Sequence, residues 1–178
     1  MKKYYNWKDV RSAATSIAMQ MYKDNWRPDY IVGVTRGGLP IATILSHITD
    51  IHMYTLDVRL HDGKDYDCES NLWLAEWAFG YNDGGSGVTG ARWDTKSRKN
   101  ILIVDDINDT GATFNWIKQD WQSGCLPKEI SAWDAVWNNN VRFAVMTENL
   151  ASDFSSQYCW EEVNKEEDNV WLVYPWET

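Results

Sequence analysis

Apolar residues fall into two rhythms along the chain. From Trp7 they recur at Trp7, Val10, Ala14, Ile17 and Met21, the three-or-four step of a helix with one buried face. Beyond Pro28 the spacing closes up. Tyr30-Ile31-Val32-Gly33-Val34 predicts a buried strand running into Thr35-Arg36-Gly37-Gly38. A second helix is expected from Leu39, with Pro40 in its first turn, where a missing N–H is harmless. Residues 52–60 (HMYTLDVRL) predict another strand. From His61 to Asn100 the pattern is broken by Gly63, Gly80, Gly84, Gly85, Gly87 and Gly90, and only 71–79 (NLWLAEWAF) reads as helix. So long an irregular stretch inside a compact domain is expected to be a lid or binding loop, or else disordered.

Periodicity returns with Ile101-Leu102-Ile103-Val104, a continuous apolar run that stops at Asp105-Asp106. Such a run predicts a central parallel strand buried on both faces. Loop 107–111 then leads to a helix of about ten residues carrying Phe114, Ile117 and Trp121, closed by Gly124 and Pro127. Further strands are expected at 129–137, 141–147 (VRFAVMT) and 169–174 (NVWLVY). The alternation of strand and helix predicts an α/β fold with a central, mostly parallel sheet flanked by helices. The expected division is a core over 1–137, with 61–100 as a flexible lid-like insert, and a small C-terminal hood over 138–178.

Composition narrows the function classes. Twelve tryptophans would suit a stacking surface for nucleic acid, but a net charge of −9 argues against binding a phosphate backbone. The acid is concentrated: residues 148–178 hold eight carboxylates against a single base, Lys165. Cys68, Cys125 and Cys159 are odd in number and lack metal-ligand spacing, which suits a reducing compartment. The start, MKKYYNWKD, has no apolar stretch after its lysines, and no run reaches the ~18 residues of a membrane span. A cytoplasmic protein that engages neither membrane nor nucleic acid is expected.

The window that carries chemistry is Ile101 to Thr113, ILIVDDINDTGAT. Its strand delivers two carboxylates to the carboxyl edge of the sheet, where open α/β folds bind ligands. Asp109 then opens a tight turn, and Thr110-Gly111-Ala112-Thr113 begins a helix. Free backbone N–H groups, two hydroxyls and the helix dipole make a phosphate cradle there. Carboxylates beside such a cradle call for a ligand with both hydroxyls and phosphate. A sugar phosphate fits, with a divalent metal bridging acid and anion.

At these residues the sequence resembles the type I phosphoribosyltransferases, whose signature is an apolar strand, two acids, two variable residues and Asp-Thr-Gly-x-Thr. Val34-Thr35-Arg36-Gly37-Gly38-Leu39-Pro40 is similar to the pyrophosphate loop of the xanthine-guanine and hypoxanthine branch, and residues 169–177 to its purine-binding ending. The resemblance implies transfer of ribose 5-phosphate from phosphoribosyl pyrophosphate to a 6-oxopurine, with Mg²⁺, by a homodimer or tetramer. It implies that Asp105 holds ribose hydroxyls and that Asp106 serves the ribose–metal network. Thr110, Gly111, Ala112 and Thr113 would take the 5′-phosphate, and Arg36 and Gly37 the pyrophosphate. Asp109 would accept a proton from the imidazole edge of the base, Trp171 would stack on it, and the backbone of Leu172 would read its exocyclic groups. A strained or cis peptide at Arg36–Gly37 is typical of the family. One departure stands out. The branch carries a lysine for the 6-oxo group at the end of the strand before the hood, and 131–137 ends instead in Trp137 and Asn138. Two alternatives follow from it: a binding or regulatory protein of the same fold, or a transferase for another base.

Overall fold

The computed structural model describes residues 1–61, 64–66, 68, 72–81, 93–125 and 130–177. Five strands form one parallel sheet in the order β3-β2-β6-β7-β8: β2 (Tyr30–Thr35), β3 (Met53–Asp57), β6 (Ile101–Asn108), β7 (Val141–Asn149) and β8 (Tyr158–Val163). Because β2 and β6 are buried on both faces, neighbouring residues serve opposite cores. Ile31, Leu102 and Val104 face α1 (Trp7–Lys23) and α2 (Gly38–Thr49). Val32, Ile101 and Ile103 face α3 (Leu72–Phe79), α4 (Ala112–Gly124) and α5 (Ile130–Trp133). The first helix starts at the expected place. Asn6 accepts from the Lys8 and Asp9 amides while Asp9 accepts from the Asn6 amide, a reciprocal cap worth about 1 kcal/mol.

The two cores differ in texture. Against α1 and α2 the packing is largely aliphatic and small, with Val10, Ala13, Ala14, Ile17, Ile41 and Leu45, joined by buried Tyr5, Tyr158 and Tyr174. The opposite side is aromatic, with Phe79, Phe114, Trp121, Trp133, Trp137 and Phe143 in one cluster. The abundance of tryptophan is therefore largely a packing matter: Trp133 and Trp137 stack at 5.4 Å, and Trp73 and Trp77 of α3 meet Tyr54 and Tyr30. Among the described residues no cysteine forms a disulfide.

Several expectations change. Residues 130–140 are not a strand: α5 and turns occupy them, with Val136 N donating to the Trp133 carbonyl at 2.8 Å. Trp133, Val136 and Trp137 are spaced three and four apart, a helical rhythm that buries all three on one side. The strand beside β6 is β7 instead. Consequently 138–178 is not a separate cap. Its strands β7 and β8 complete the central sheet, and only β9 (Trp171–Val173) stands apart, paired in parallel with β1 (Lys2–Tyr4). The strand expected at 52–60 breaks at Val58. Its second half, β4 (Arg59–His61), leaves the sheet to pair antiparallel with β5 (Lys64–Tyr66). Within the insert, α3 packs into the aromatic core, while much of the expected lid, including 82–92, lies outside the described residues. Among the described residues no helix is long and apolar enough to cross a membrane.

Candidate active site at the carboxyl edge of the sheet

Parallel strands and returning helices bring strand carboxyl ends and helix amino ends to one edge. There β6 delivers Asp105 and Asp106 into a pocket of about 260 Å³ that the Asp109–Thr113 turn completes. Asp105 is buried, and its Oδ1 accepts from the Asp106 amide at 2.9 Å; Asp106 Oδ1 accepts from the Ile107 amide at 2.9 Å. Burial raises both carboxyls above the ordinary carboxylate range, and the charge of Asp106 pushes Asp105 further in the same direction. Cations or hydroxyl donors reaching this pair would relieve that cost.

The cradle sits directly beyond. Gly111 adopts φ 86°, a left-handed conformation that turns the chain into α4. A Cβ there would meet the Phe154 backbone at 2.9 Å, so glycine is required twice over. Thr110 to Thr113, at the amino end of α4, line the pocket, and the Ala112 amide donates to Thr110 Oγ1 at 3.3 Å. The loop after β2 closes the opposite side. A Cβ on Gly37 would fall 2.1 Å from Asp106 Oδ2, and one on Gly38 2.3 Å from the Val104 carbonyl. Only glycines let this loop lie against β6. The cis peptide precedes Arg36, at Thr35–Arg36, one bond earlier than expected. Arg36 is exposed and lines a second pocket of about 630 Å³ with Gly37, Pro40, Asp106, Trp176 and Glu177. Gly37 and Asp106 border both pockets, so the two form one continuous groove.

Asp109 is held from two sides. Asn149 Nδ2 donates to its carbonyl at 2.8 Å and to its Oδ1 at 3.3 Å, and Lys165 Nζ lies 2.7 Å from its Oδ2. Sequence reasoning missed Lys165, although its being the lone base of the acidic 148–178 stretch was a usable signal. It also missed Trp176, which borders the Arg36 pocket and stacks on Tyr174 at 5.1 Å. Trp171 stands on β9 with 67% of its surface exposed, outside the lining of either pocket, while Leu172 is buried against β1.

Trp137 and Asn138 do not join the site. Trp137 bridges to Val141, at the start of β7, whereas the site lies at the far end, where Asn108 pairs with Glu148. Trp137 is buried and donates to Gln122 Oε1 at 2.6 Å; Asn138 accepts from Gln157 Nε2 at 2.8 Å. The error follows from the misassigned strand. The strand after the cradle ends in Thr147-Glu148-Asn149, and there buried Glu148 accepts from Asn108 Nδ2 at 2.7 Å.

Paired carboxylates, a helix amino terminus and an arginine-bearing glycine loop meet on one edge of a parallel sheet, the edge at which open α/β folds bind ligands. The chain belongs to the phosphoribosyl transferase domain family, matched over residues 1–176. It is 23% identical over 146 residues to xanthine phosphoribosyltransferase 1 of Saccharomyces cerevisiae, covering 76% of this chain and 65% of the yeast protein. It is 24% identical over 149 residues to xanthine-guanine phosphoribosyltransferase of Desulfotalea psychrophila, covering 83% and 69%. The chain thus spans about two thirds of the length of these curated relatives. A purine phosphoribosyltransferase from Pyrococcus horikoshii superposes with a TM-score of 0.63 at 24% identity, covering 99% of this chain and 94% of that one. The fold is shared.

Proposed function

We propose that the protein transfers the 5-phosphoribosyl group from phosphoribosyl pyrophosphate to a 6-oxopurine (guanine, hypoxanthine or xanthine) and releases pyrophosphate. The observation that carries this reading is the single groove in which desolvated Asp105 and Asp106 adjoin both the Thr110–Thr113 cradle and the Arg36 loop. The named activities of the yeast and bacterial relatives support the base class.

In this reading the cradle amides and the Thr110 and Thr113 hydroxyls bind the 5′-phosphate, and Asp105 accepts from the ribose hydroxyls. A ring nitrogen of the base bonds to C1′ as the C1′–O bond to pyrophosphate breaks, its electron pair leaving with the pyrophosphate. Arg36 and the half-buried Gly37 backbone meet that developing negative charge. Asp109 takes the proton that the imidazole ring of the base loses. Among the described residues no group of three or more His, Cys, Asp or Glu side chains gathers as a ready-made metal cage. Two adjoining carboxylates do fit Mg²⁺, which commonly takes one or two protein carboxylates and completes its shell with phosphate oxygens and water. Asp106, with Asp105 behind it, would hold that ion, which supplies charge neutralisation on the pyrophosphate. Trp171, exposed on β9, is proposed as the stacking platform, and the β1–β9 pair as what remains of a hood. A homo-oligomeric, cytoplasmic enzyme completes the proposal.

The test is purified protein with phosphoribosyl pyrophosphate, Mg²⁺ and each purine in turn, followed by nucleotide detection. Product with an oxopurine is expected; silence with every purine would sink the reading. Calorimetric binding of phosphoribosyl pyrophosphate without turnover would favour a binding-only role instead.

A further inference from the structure

Behind the Asp109–Thr113 turn runs the loop 150–157, which joins β7 to β8 and lines neither pocket of the site. Asn108, the last residue of β6, ties that loop to the strand. Its buried side chain donates to the Phe154 carbonyl at 2.6 Å and to Glu148 Oε1 at 2.7 Å. Its Oδ1 accepts from the Ser152 hydroxyl at 2.9 Å. Buried Glu148 is held in turn by Ser156, whose amide donates to Oε1 at 3.3 Å and whose hydroxyl donates to Oε2. The loop then reaches the turn directly. The Asp153 amide donates to the Thr110 carbonyl at 3.3 Å, and Phe154 packs its ring 5.2 Å from Phe114 in the first turn of α4. Loop and turn are closest at Gly111, where a Cβ would stand 2.9 Å from the Phe154 amide nitrogen and 3.1 Å from Ser152 Oγ.

An amide is a costly choice at position 108. The other buried members of β6 are Ile101 to Val104, all apolar, and Asp105 of the site. A buried polar side chain repays its desolvation only when its donors and acceptors are matched, and a matched network fixes directions that apolar packing leaves loose. Both ends of Asn108 are matched, and every partner lies on β7 or the loop beyond it. Anion binding by backbone amides depends on holding them to about half an ångström before the ligand arrives. We propose that Asn108 is a positioning residue for the phosphate cradle, setting Thr110 and Gly111 against loop 150–157 through Ser152, Phe154 and Glu148. The identity of the ligand, a sugar 5-phosphate, rests on the transferase reading above.

The experiment compares wild type, Asn108→Leu, Ser152→Ala and the double variant. Calorimetry gives the affinities of ribose 5-phosphate, the cradle's probe, and of Mg²⁺-pyrophosphate, the Arg36 side's probe. Asn108→Leu should weaken ribose 5-phosphate roughly tenfold and Ser152→Ala roughly threefold, with pyrophosphate unchanged for both. Because Ser152 acts through Asn108, the double variant should lose no more than Asn108→Leu alone. Hydrogen exchange should quicken at the amides of 110–113 and not at those of 101–104. Unchanged sugar phosphate affinity with unchanged exchange, or an equal loss for pyrophosphate, would overturn the assignment. If Asn108→Leu does not fold, Ser152→Ala, altered at a half-buried side chain, carries the same comparison. Should wild type bind no ribose 5-phosphate, the transferase reading falls, and exchange at 110–113 still decides whether Asn108 sets the turn.

Discussion

The two ends of the parallel sheet are used in opposite ways. At the amino edge, Asn140 donates to the Ala78 and Lys99 carbonyls at 2.7 and 2.9 Å, and its own carbonyl accepts from Ile101 at 2.7 Å. Beside it Trp133 and Trp137 are buried in contact with each other. Polar groups there close the structure. At the carboxyl edge, Asp105 is buried and Asp106 half-buried, with both carboxyls raised above the ordinary range, and the loops are pressed so close that only glycine fits at 37 and 38. The difference is one of direction: in a parallel sheet one edge collects strand ends and helix starts, and their unpaired amides attract anions. Chemistry goes where the backbone is left incomplete.

If the edges are divided in this way, damage should divide too. The largest effect is expected at the carboxyl edge. Asp109→Asn keeps the shape and removes the proton acceptor, so turnover should fall by roughly 10²–10⁴. Affinity for phosphoribosyl pyrophosphate should change far less, and steady-state kinetics that found equal losses in both would remove Asp109 from its role. Next comes the amino edge. Trp133→Ala empties a fully buried site in the aromatic core, and a stability loss of about 3–5 kcal/mol is expected in denaturant unfolding. The protein that remains folded should bind phosphoribosyl pyrophosphate as before.

A pH experiment sharpens the contrast. Asp105 has a folded-state pKa raised by burial above its unfolded value of about 3.9. Its protonated form is the one the fold favours. The associated stability is therefore present below the unfolded pKa and lost as pH rises through the folded pKa. Without metal or ligand, Asp105→Asn should melt above wild type at pH 7, and the gap should shrink toward pH 4. A gap that grew on acidification would show that the pair is stabilised as carboxylates rather than strained by burial.

How legible all this was in sequence depended on how local each signal is. The helix at Trp7, the strand at Ile101 and the turn at Gly111 are written in consecutive residues, and the structure places them as expected. The run 129–137 was misread because aromatic, β-favouring residues masked a spacing of three and four; the fold obeyed the spacing, not the propensity. From that one error came the cap at 138–178 and the placing of Trp137 and Asn138 near the base. As the lone base of an acidic stretch Lys165 stands out in the sequence, but nothing local ties it to Asp109. It reaches Asp109 across 56 residues of chain, through the amide of Asn149, and only the order of strands in the sheet brings the three together.

The smallest effect belongs to the residue whose place in the fold most changed. Trp137 lines neither pocket of the site; it lies at the closed amino edge, where its indole N–H donates to Gln122 and its ring stacks on Trp133. Trp137→Phe keeps an aromatic ring and loses that hydrogen bond, at a cost of about 1 kcal/mol. Thermal melting should register a modest drop, with KM for every base unchanged. A base preference that moved with this substitution would mean that the two ends of the sheet are coupled through β7, since its Val141 end touches Trp137 and its Asn149 end holds Asp109. An unmoved preference would show the two ends of the sheet to be independent.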